Sequence, residues 1–326
     1  MIRFTILAGL LCAAAPLARG ERIAVAHKWA DSIGIYDVPS GRQLSLIAVG
    51  VKPHEFAFTR DFRTAYVTHY GINSYTEKAE GGNTIGIVDL AAATMTGEIS
   101  TGKYRRPHGI ELGRSGKLYV TTELPPALLL IDPVKRALIR AVEIDQPLPH
   151  MLALTHDEST AWTANAGGGS VSVVDLVAGR IIKRIEIGGV PMGIGLSKDE
   201  RTLYAGNRGG NRVYSIETKN HTILRQAEVR GEPARLLATP NGKWVIVSLI
   251  GSGEVAVLEA ETLREVARFA AGRAAEGLQL HPSGKFGYVS AQGQNRVVKF
   301  AIPGWTRVAE VATGDRPDPI VVLPDR

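Results

Sequence analysis

Short apolar runs separated by polar turn residues recur along the chain at a regular interval. One segment, a proline followed by a short β-favouring run, begins at residues 53, 107, 149, 191, 233 and 317, and an alanine replaces the proline at residue 275. The first interval is 54 residues long and each later one is 42. A period of this length indicates a repeat architecture in which each unit is one supersecondary element.

The residue pattern of each unit predicts four strands. The first begins at the proline and ends at a polar turn residue eight positions later, such as Asp61, because such side chains close tight turns. The second is rich in aromatic and branched residues, as in 118–121 (Leu-Tyr-Val-Thr), which favour strands. The third commonly ends in an acid before the turn to the fourth. These acids recur at one turn position, so we assign them a structural role; in the early units they are Asp37, Asp89, Asp132 and Asp175.

Four strands per unit predict an all-β fold, a seven-bladed β-propeller of four-stranded antiparallel blades. Residues 317–326 supply only one strand, and residues 22–50 supply three without a preceding first strand. We therefore expect the N-terminal and C-terminal segments to share the last blade, which closes the ring and removes exposed strand edges. Residues 21–326 would then form a single propeller domain.

The repeat also carries a family resemblance. Residues 119–122 (Tyr-Val-Thr-Thr) and 162–165 (Trp-Thr-Ala-Asn), with the Val-x-Val-x-Asp third strand, resemble the YVTN-type bacterial β-propeller family, in the wider lactonase-like and cytochrome-cd1-like group. The resemblance covers essentially the whole chain after its N-terminal segment. It implies the fold but selects no activity, because that family contains binding proteins, scaffolds, proposed lactonases and redox-associated proteins.

The first 20 residues predict a secretory signal peptide, with Arg3, an apolar run over 6–11 and a small-x-small site at 18–20. We expect a periplasmic or secreted protein without a membrane span. The single cysteine, Cys12, lies in this segment, so the mature chain offers no disulfide and no thiolate ligand or nucleophile. The net charge of +6 is mild and gives no reason to expect nucleic-acid binding.

Three histidines occupy equivalent positions in consecutive units. In a propeller the residue after each strand-opening proline lines the central channel, so seven such residues form a ring at one end, which we call the histidine mouth. Because blade seven adjoins blade one, Asp318 and the three histidines are predicted to form a continuous arc, with Glu276 behind Asp318. The seven ring residues are His54, His108, His150, Met192, Ala234, Glu276 and Asp318.

The second strand of each unit ends on the same face, and its last residue is His69 in the first unit and His27 in the closing blade. Neutral imidazole with carboxylate suits Zn, Cu, Fe or Ni. We therefore predict a transition metal, or the iron of a haem-type cofactor, at the histidine mouth. The alternative is that the imidazoles bond backbone carbonyls or line a wet channel. The candidate ligands are His54, His108, His150, His69, His27, Asp318 and Glu276, while Met192 is a packing residue or a soft ligand.

The first unit contains twelve extra residues, 72–83, between its second and third strands. This insertion lies on the face of the histidine mouth, where it is either a lid or a neutral surface loop. Basic residues in neighbouring connections give that face a positive character, which suits a small anionic ligand. They are Lys52, Lys103, Arg105 and Arg106.

The sequence leaves three functions open and does not decide whether the protein is an enzyme. The first is an exported ligand-binding propeller that holds a metal or haem-type cofactor at the histidine mouth. The second is a lactonase-like hydrolase in which a mouth histidine acts as general base. The third is an interaction scaffold for a cell-envelope protein or polysaccharide. A Gly-x-Ser-x-Gly elbow and a phosphate-binding loop are both missing from the sequence, which disfavours nucleophilic hydrolysis and nucleotide binding.

Overall fold

The computed structural model describes residues 20–324. The predicted signal peptide up to residue 19 and the predicted turn residue Asp325 lie outside this range. Within it, no helix is long and apolar enough to cross a membrane. A short 3-10 helix, Gln292–Gln294, interrupts the strands. The strands are, in chain order, β1 (Arg22–His27), β2 (Ser32–Asp37), β3 (Gln43–Ala48), β4 (Pro53–Phe58), β5 (Thr64–His69), β6 (Thr84–Asp89), β7 (Thr94–Ser100), β8 (Arg105–Leu112), β9 (Leu118–Leu124), β10 (Pro126–Asp132), β11 (Ala137–Glu143), β12 (Pro149–Leu154), β13 (Thr160–Asn165), β14 (Ser170–Asp175), β15 (Arg180–Glu186), β16 (Pro191–Leu196), β17 (Thr202–Asn207), β18 (Arg212–Glu217), β19 (Thr222–Glu228), β20 (Pro233–Ala238), β21 (Trp244–Leu249), β22 (Glu254–Glu259), β23 (Glu265–Ala270), β24 (Ala275–Leu280), β25 (Phe286–Ala291), β26 (Arg296–Ala301), β27 (Arg307–Ala312) and β28 (Pro317–Leu323).

These strands form seven four-stranded antiparallel blades. Blade one is β4–β7, and each following group of four strands makes the next blade up to β24–β27, which is blade six. Blade seven has the strand order β28-β1-β2-β3. The predicted seven-bladed propeller is confirmed, including the last blade that both ends of the chain share.

The closing blade joins the chain ends by backbone pairing and by packing. In the antiparallel ladder of β1 and β28, Val25 lies opposite Ile320. Ile23 and Ile320 belong to the same hydrophobic cluster as Tyr288 of blade six. The C-terminal strand is therefore packed against blade six on one face and paired with β1 along one edge.

The hydrophobic core lies between neighbouring blades. Trp162 of blade three and Leu203 of blade four are fully buried in one cluster, and the same arrangement repeats around the ring. Aromatic and branched residues of the second and third strands fill these spaces, which explains why they recur with the period of the unit. Burial of each such side chain stabilises the fold by about 1.5–3 kcal/mol.

The recurring turn acids have the structural role that the sequence predicts. Asp61 Oδ1 accepts a hydrogen bond of 3.0 Å from the Arg63 backbone N–H. Asp89 Oδ1 accepts from the backbone N–H groups of Ala91 and Ala92 at 2.8 and 2.9 Å. Side chains of this type close the turns and lie at the opposite end of the blades from the histidine mouth or on the outer rim.

Candidate functional site

A β-bulge at the start of each innermost strand positions the residues of the histidine mouth. The pairing of β4 with β5 shifts register between Pro53 and Phe56, and β8 and β12 shift in the same way after Pro107 and Pro149. A bulge turns the extra residue out of the ladder and re-aims its side chain. His54, His108 and His150 all follow such a proline.

Threonine hydroxyls of the second strands fix the bulged backbone. Thr68 Oγ1 accepts a hydrogen bond from the Glu55 N–H at 2.9 Å and donates one to the His108 carbonyl at 3.0 Å. Thr121 Oγ1 accepts from the Gly109 N–H at 2.9 Å and donates to the His150 carbonyl at 2.6 Å. Each hydroxyl therefore connects its own blade to the mouth histidine of the next blade.

The three ring histidines lie against one another. The ring centroids of His54 and His108 are 4.0 Å apart, and those of His108 and His150 are 3.5 Å apart. Tyr70 packs edge-on against His54 and His108 at 5.1 and 5.2 Å. All three imidazoles are buried. The predicted arc of histidines in blades one to three therefore forms a contiguous stack.

Glu123 joins two of these histidines. Ligand atoms of His108, Glu123 and His150 all lie within 4.8 Å of one another, and all three residues are buried. Glu123 Oε2 accepts a 2.8 Å hydrogen bond from the Tyr70 hydroxyl and lies 3.6 Å from the Arg106 guanidinium. Its other oxygen, Oε1, lies 3.5 Å from His150 Nδ1. Two imidazoles and one carboxylate thus converge with donor atoms free.

Buried polar atoms without a hydrogen-bond partner are concentrated here. Leaving such an atom unpaired costs about 1–3 kcal/mol, so native proteins place few of them without a reason. Of the thirteen such side-chain atoms in residues 20–324, nine belong to the histidine mouth. They are His54 Nδ1, both ring nitrogens of His108, His150 Nδ1, Glu123 Oε1, both Asp318 oxygens, Arg106 Nε and Gln292 Nε2.

Burial keeps two imidazoles of the stack, His54 and His108, in the form that binds metals. It lowers the pKa of His54 to about 4, with a further lowering by the Lys28 charge. Burial also lowers the pKa of His108 well below its ordinary value, and the neighbouring His150 acts in the same direction. These two imidazoles are therefore neutral at physiological pH, and neutral imidazole is the ligand form.

Asp318 closes the arc from the other end of the chain. Its Oδ2 lies 3.4 Å from His54 Nδ1, and Glu55 Oε1 lies at the same distance from that nitrogen. Arg235 of blade five reaches across to pair with Glu55 and lies 3.8 Å from Asp318. Burial, then the nearby Glu276, raises the pKa of Asp318 well above its ordinary value. Burial would also raise the pKa of Glu55, but Arg235 holds it at about 2.

The structure separates His27 and His69 from the stack. His69 Nε2 accepts the Gly50 N–H at 3.0 Å and its Nδ1 bonds Thr84 Oγ1 at 2.9 Å. His27 is likewise hydrogen bonded on both ring nitrogens, to Ser32 and to Tyr36. Both side chains turn into the blades, where His69 ties the connection before the first strand to the second strand and His27 ties β1 to β2. Neither has a ring nitrogen free for a metal.

The remaining predicted ligands, Glu276 and Met192, line a cavity above the stack. This cavity measures about 190 Å³ and is also lined by His54, His150, Tyr70 and Lys28. Arg208, Ile250, Gln292 and Arg316 complete its protein wall together with part of the insertion, Asn73, Ser74 and Tyr75.

The insertion therefore covers the histidine mouth. Arg106 holds it there, donating hydrogen bonds to the carbonyl oxygens of Glu77 and Ala79 at 2.7 and 2.6 Å. Gly82 N–H donates to the Tyr70 carbonyl at 2.9 Å. Of the two alternatives left open by the sequence, the geometry favours a lid.

The basic residues singled out in the sequence are largely engaged in structure. Arg105 pairs with Glu80 at 3.1 Å, Lys52 lies 3.9 Å from Asp31, and Arg106 holds the insertion. Lys103 is exposed and lies over the Tyr104 ring. The cations that face the cavity are instead Lys28, Arg208 and Arg316.

The repeat pattern did not indicate a second ring of residues near the mouth end of the second strands. Six of them directly follow the last residue of a second strand, and the seventh, Glu123, holds the corresponding position within the longer strand β9. In five blades this residue lines the cavity, and in blade two it is the candidate ligand Glu123. The missed signal is the parity of the strand, since neighbouring residues point to opposite faces. The last strand residue turns into the blade, so the next one faces the mouth. The ring is Lys28, Tyr70, Glu123, Ala166, Arg208, Ile250 and Gln292.

A larger groove of about 800 Å³ lies at the opposite end, between blades four and five. It is lined mainly by turn residues, and its acid Asp199 accepts hydrogen bonds from Ser197 and the Arg201 N–H. It holds neither a histidine nor a group of metal-ligating side chains among the residues that the structure describes. The chemistry is therefore concentrated at the histidine mouth.

No family model matches this chain, and no curated protein matches its sequence. Solved propeller structures do match. Kuenenia stuttgartiensis hydrazine synthase is 18% identical with a TM-score of 0.75, over 92% of this chain and 100% of that one. The periplasmic gluconolactonase PpgL of Pseudomonas aeruginosa is 16% identical with a TM-score of 0.75, over 94% and 99%. Dihydro-heme d1 dehydrogenase NirN, in complex with DHE, is 13% identical with a TM-score of 0.69, over 92% and 74%.

At these identities the likeness shows the propeller fold. The presence of a lactonase and a haem d1 dehydrogenase among the similar structures is consistent with the predicted lactonase-like and cytochrome-cd1-like group. The YVTN-type repeat stays a prediction, since no family model matches.

Proposed function

We propose that this protein is an exported ligand-binding propeller that holds one divalent transition-metal ion on His108, Glu123 and His150. The observation that carries the proposal is the convergence of two imidazole nitrogen donors and a carboxylate within 4.8 Å of one another, all on buried residues. Each of these residues has a buried polar atom without a hydrogen-bond partner, which costs free energy. A bound metal ion would remove this cost by taking such atoms as ligands.

The donor set fits a metal ion of this class. Two imidazoles and one carboxylate are characteristic of catalytic zinc and non-haem iron sites. Two ligand atoms on one ion, each at about 2.1 Å, can be at most about 4.2 Å apart, so a small closing movement of the side chains completes the site. Tyr70 and Arg106 hold the second carboxylate oxygen and so orient Glu123, as partners of metal ligands commonly do.

A single ion fits the histidine mouth better than a haem-type group. Pockets for drug-sized ligands measure about 300–1,000 Å³, whereas the cavity above the stack measures about 190 Å³. The insertion, held by Arg106, and the packing of Tyr70 on the stack leave no slot for a macrocycle. Haem binding would require the lid to leave its observed position.

The arrangement allows ligand binding under the lid. A site with three protein ligands keeps a coordination position open for water or a small ligand. An ion held there by His108, Glu123 and His150 would polarise a bound oxygen atom as a Lewis acid. The protein contributes a buried, covered site that excludes bulk water, with polar side chains of the second ring around the bound molecule.

A second candidate function is a lactonase-like hydrolase. The contact of His54 Nδ1 with Asp318 Oδ2 at 3.4 Å places a carboxyl group behind an imidazole that lines the cavity, as a general acid–base pair requires. The structural likeness to a gluconolactonase is consistent with this chemistry. Lactone turnover that is lost in His54→Ala while the metal content is unchanged would support it.

The test of the main proposal is the metal content of the mature protein purified from a periplasm. We expect about one metal ion per chain and its loss in His108→Ala and Glu123→Ala. His156→Ala is the matched control, because His156 is exposed at a turn. A folded wild-type protein without metal that also fails to take up Zn²⁺, Fe²⁺, Ni²⁺ or Cu²⁺ would refute the proposal.

A further inference from the structure

Three hydrogen-bond donors line one side of the cavity without a partner. Lys28 Nζ forms no hydrogen bond or ion pair within residues 20–324; it lies over the Tyr70 ring at 5.0 Å and near the charges of Asp318 and Glu276. Gln292 Nε2 is buried and unpartnered. The Arg316 guanidinium makes no ion pair in the described chain and lies over the Trp29 ring at 5.1 Å. All three residues belong to the adjoining blades six and seven.

Lys28 is the most unusual of the three. Its side chain is only 7% exposed, and lysines are almost never so buried unless they are paired. Burial lowers the pKa of its ammonium group, and a bound anion would favour the charged form again. The backbone fixes its place, because the Lys28 N–H donates to the Arg316 carbonyl at 3.1 Å.

The histidines line the other side of the same cavity. His54 and His150 belong to blades one and three and face it beside the proposed metal. One acceptor, the Glu276 carboxylate, also lines the cavity and forms no hydrogen bond or ion pair with the described residues. Its charge would repel a phosphate dianion more strongly than a carboxylate monoanion, whereas a hydroxyl group can donate a hydrogen bond to it.

We propose that the cavity binds a small carboxylate, with its carboxyl group on Lys28, Gln292 and Arg316 and its other end toward the metal ligands. A hydroxycarboxylate complements the site best, because its hydroxyl can donate to Glu276. This inference rests on the proposed function for the metal end of the cavity. The donor group itself consists of this chain's own residues and is tested separately.

The test is calorimetric titration of the mature protein as purified, with its metal content measured on the same samples. The probes are propionate, lactate, the neutral lactamide and inorganic phosphate. We expect propionate and lactate to bind, lactate more tightly, and lactamide and phosphate to bind weakly. Lys28→Met should weaken carboxylate binding by about tenfold or more, the loss expected when a charged donor is removed.

Controls separate this effect from misfolding and from the metal. Lys103→Met removes a lysine that also lies over a tyrosine ring, Tyr104, but outside the cavity, and should bind carboxylates like the wild type. Arg316→Gln changes a partly exposed residue and should weaken binding without loss of the fold. The metal content of all three variants should equal that of the wild type.

The outcomes are distinct for the two proposals. Equal carboxylate affinity of wild type, Lys28→Met and Arg316→Gln would overturn the carboxylate site, as would preferential binding of phosphate or no binding of either acid. A wild type without metal that still binds lactate through Lys28 would refute the metal site and retain the carboxylate site. Carboxylate binding that disappears on metal removal but is unchanged in Lys28→Met would place the anion on the metal alone. That result would overturn this inference.

Discussion

The Tyr70 hydroxyl donates a 2.8 Å hydrogen bond to Glu123 Oε2, and the other carboxylate oxygen faces His150 Nδ1 at 3.5 Å. This bond positions the proposed carboxylate ligand, so Tyr70→Phe should weaken metal binding by about tenfold to hundredfold. Competition with a chromophoric chelator measures the change. Tyr36→Phe is the matched control, because Tyr36 is an equally buried tyrosine that bonds His27 instead. Equal metal affinities of the two variants would contradict the positioning role.

His69 should act in folding and not in metal binding. In His69→Ala the Gly50 N–H loses its acceptor, which should lower the free energy of unfolding by about 1–3 kcal/mol. His69→Asn should recover part of this loss, because Asn207 at the equivalent position holds the same connection of its own blade by accepting the Val190 N–H at 2.9 Å. Chemical denaturation measures both effects. Loss of bound metal in a folded His69→Asn protein would contradict this assignment.

The repeat spacing predicted the propeller and the shared last blade because the strand pattern and the turn residues recur in every unit. It also predicted the arc of His54, His108 and His150, since equivalent positions of neighbouring blades must meet. It could not predict Glu123, because the predicted second strand of that unit ended before this residue, whereas β9 continues to Leu124. The assignment of His27 and His69 to the mouth failed to allow for strand parity, which turns them into the blades.

Other contacts across the channel could not be predicted from the spacing. The Arg235–Glu55 pair joins blades one and five. The repeat spacing gives the position of each residue in its blade but not which side chains make contact across the channel. The lack of a hydrogen-bond partner for Lys28 Nζ among the described residues likewise depends on the packed structure, so the spacing could not predict it. Lys52, Lys103, Arg105 and Arg106 were the visible cations in the sequence, and their side chains lie outside the cavity.

Glu111 should make the stability of the protein depend on pH. Glu111 lies on the innermost strand of blade two, between Ile110 and Leu112. The side chains of these two neighbours pack in a hydrophobic cluster, and the Glu111 side chain points to the opposite face of the strand. Burial raises its pKa from 4.5 to about 8. The folded state therefore keeps a proton that the unfolded state loses, and its contribution to stability is lost as the pH rises from 4.5 to 8.

Glu111→Gln removes this loss, and Gln279 already occupies the equivalent position of blade six. The variant should gain stability relative to the wild type as the pH rises through this range, with no further gain above pH 8. Urea denaturation of both proteins over a series of pH values measures the difference. A difference that stays constant with pH would show that Glu111 is ionised in the folded protein.

Removal of residues 317–326 should abolish cooperative folding. The deletion exposes the edge of β1 and removes the buried side chains of Ile320, Val322 and Leu323. At about 1.5–3 kcal/mol for each side chain, the loss is comparable to the whole net stability of a domain, about 5–15 kcal/mol. Removal of residues 325–326 alone is the control. A thermal transition of the longer deletion close to that of the wild type would disprove the closure by β28.

We propose one metal ion on His108, Glu123 and His150. Anomalous diffraction from crystals of the metal-bearing protein, recorded on both sides of the absorption edge of that metal, would locate this ion. We predict one peak within bonding distance of all three side chains, and no peak at that position in crystals of Glu123→Ala. Ordered water in place of a peak in metal-saturated crystals, or a peak bound by other residues, would contradict the account.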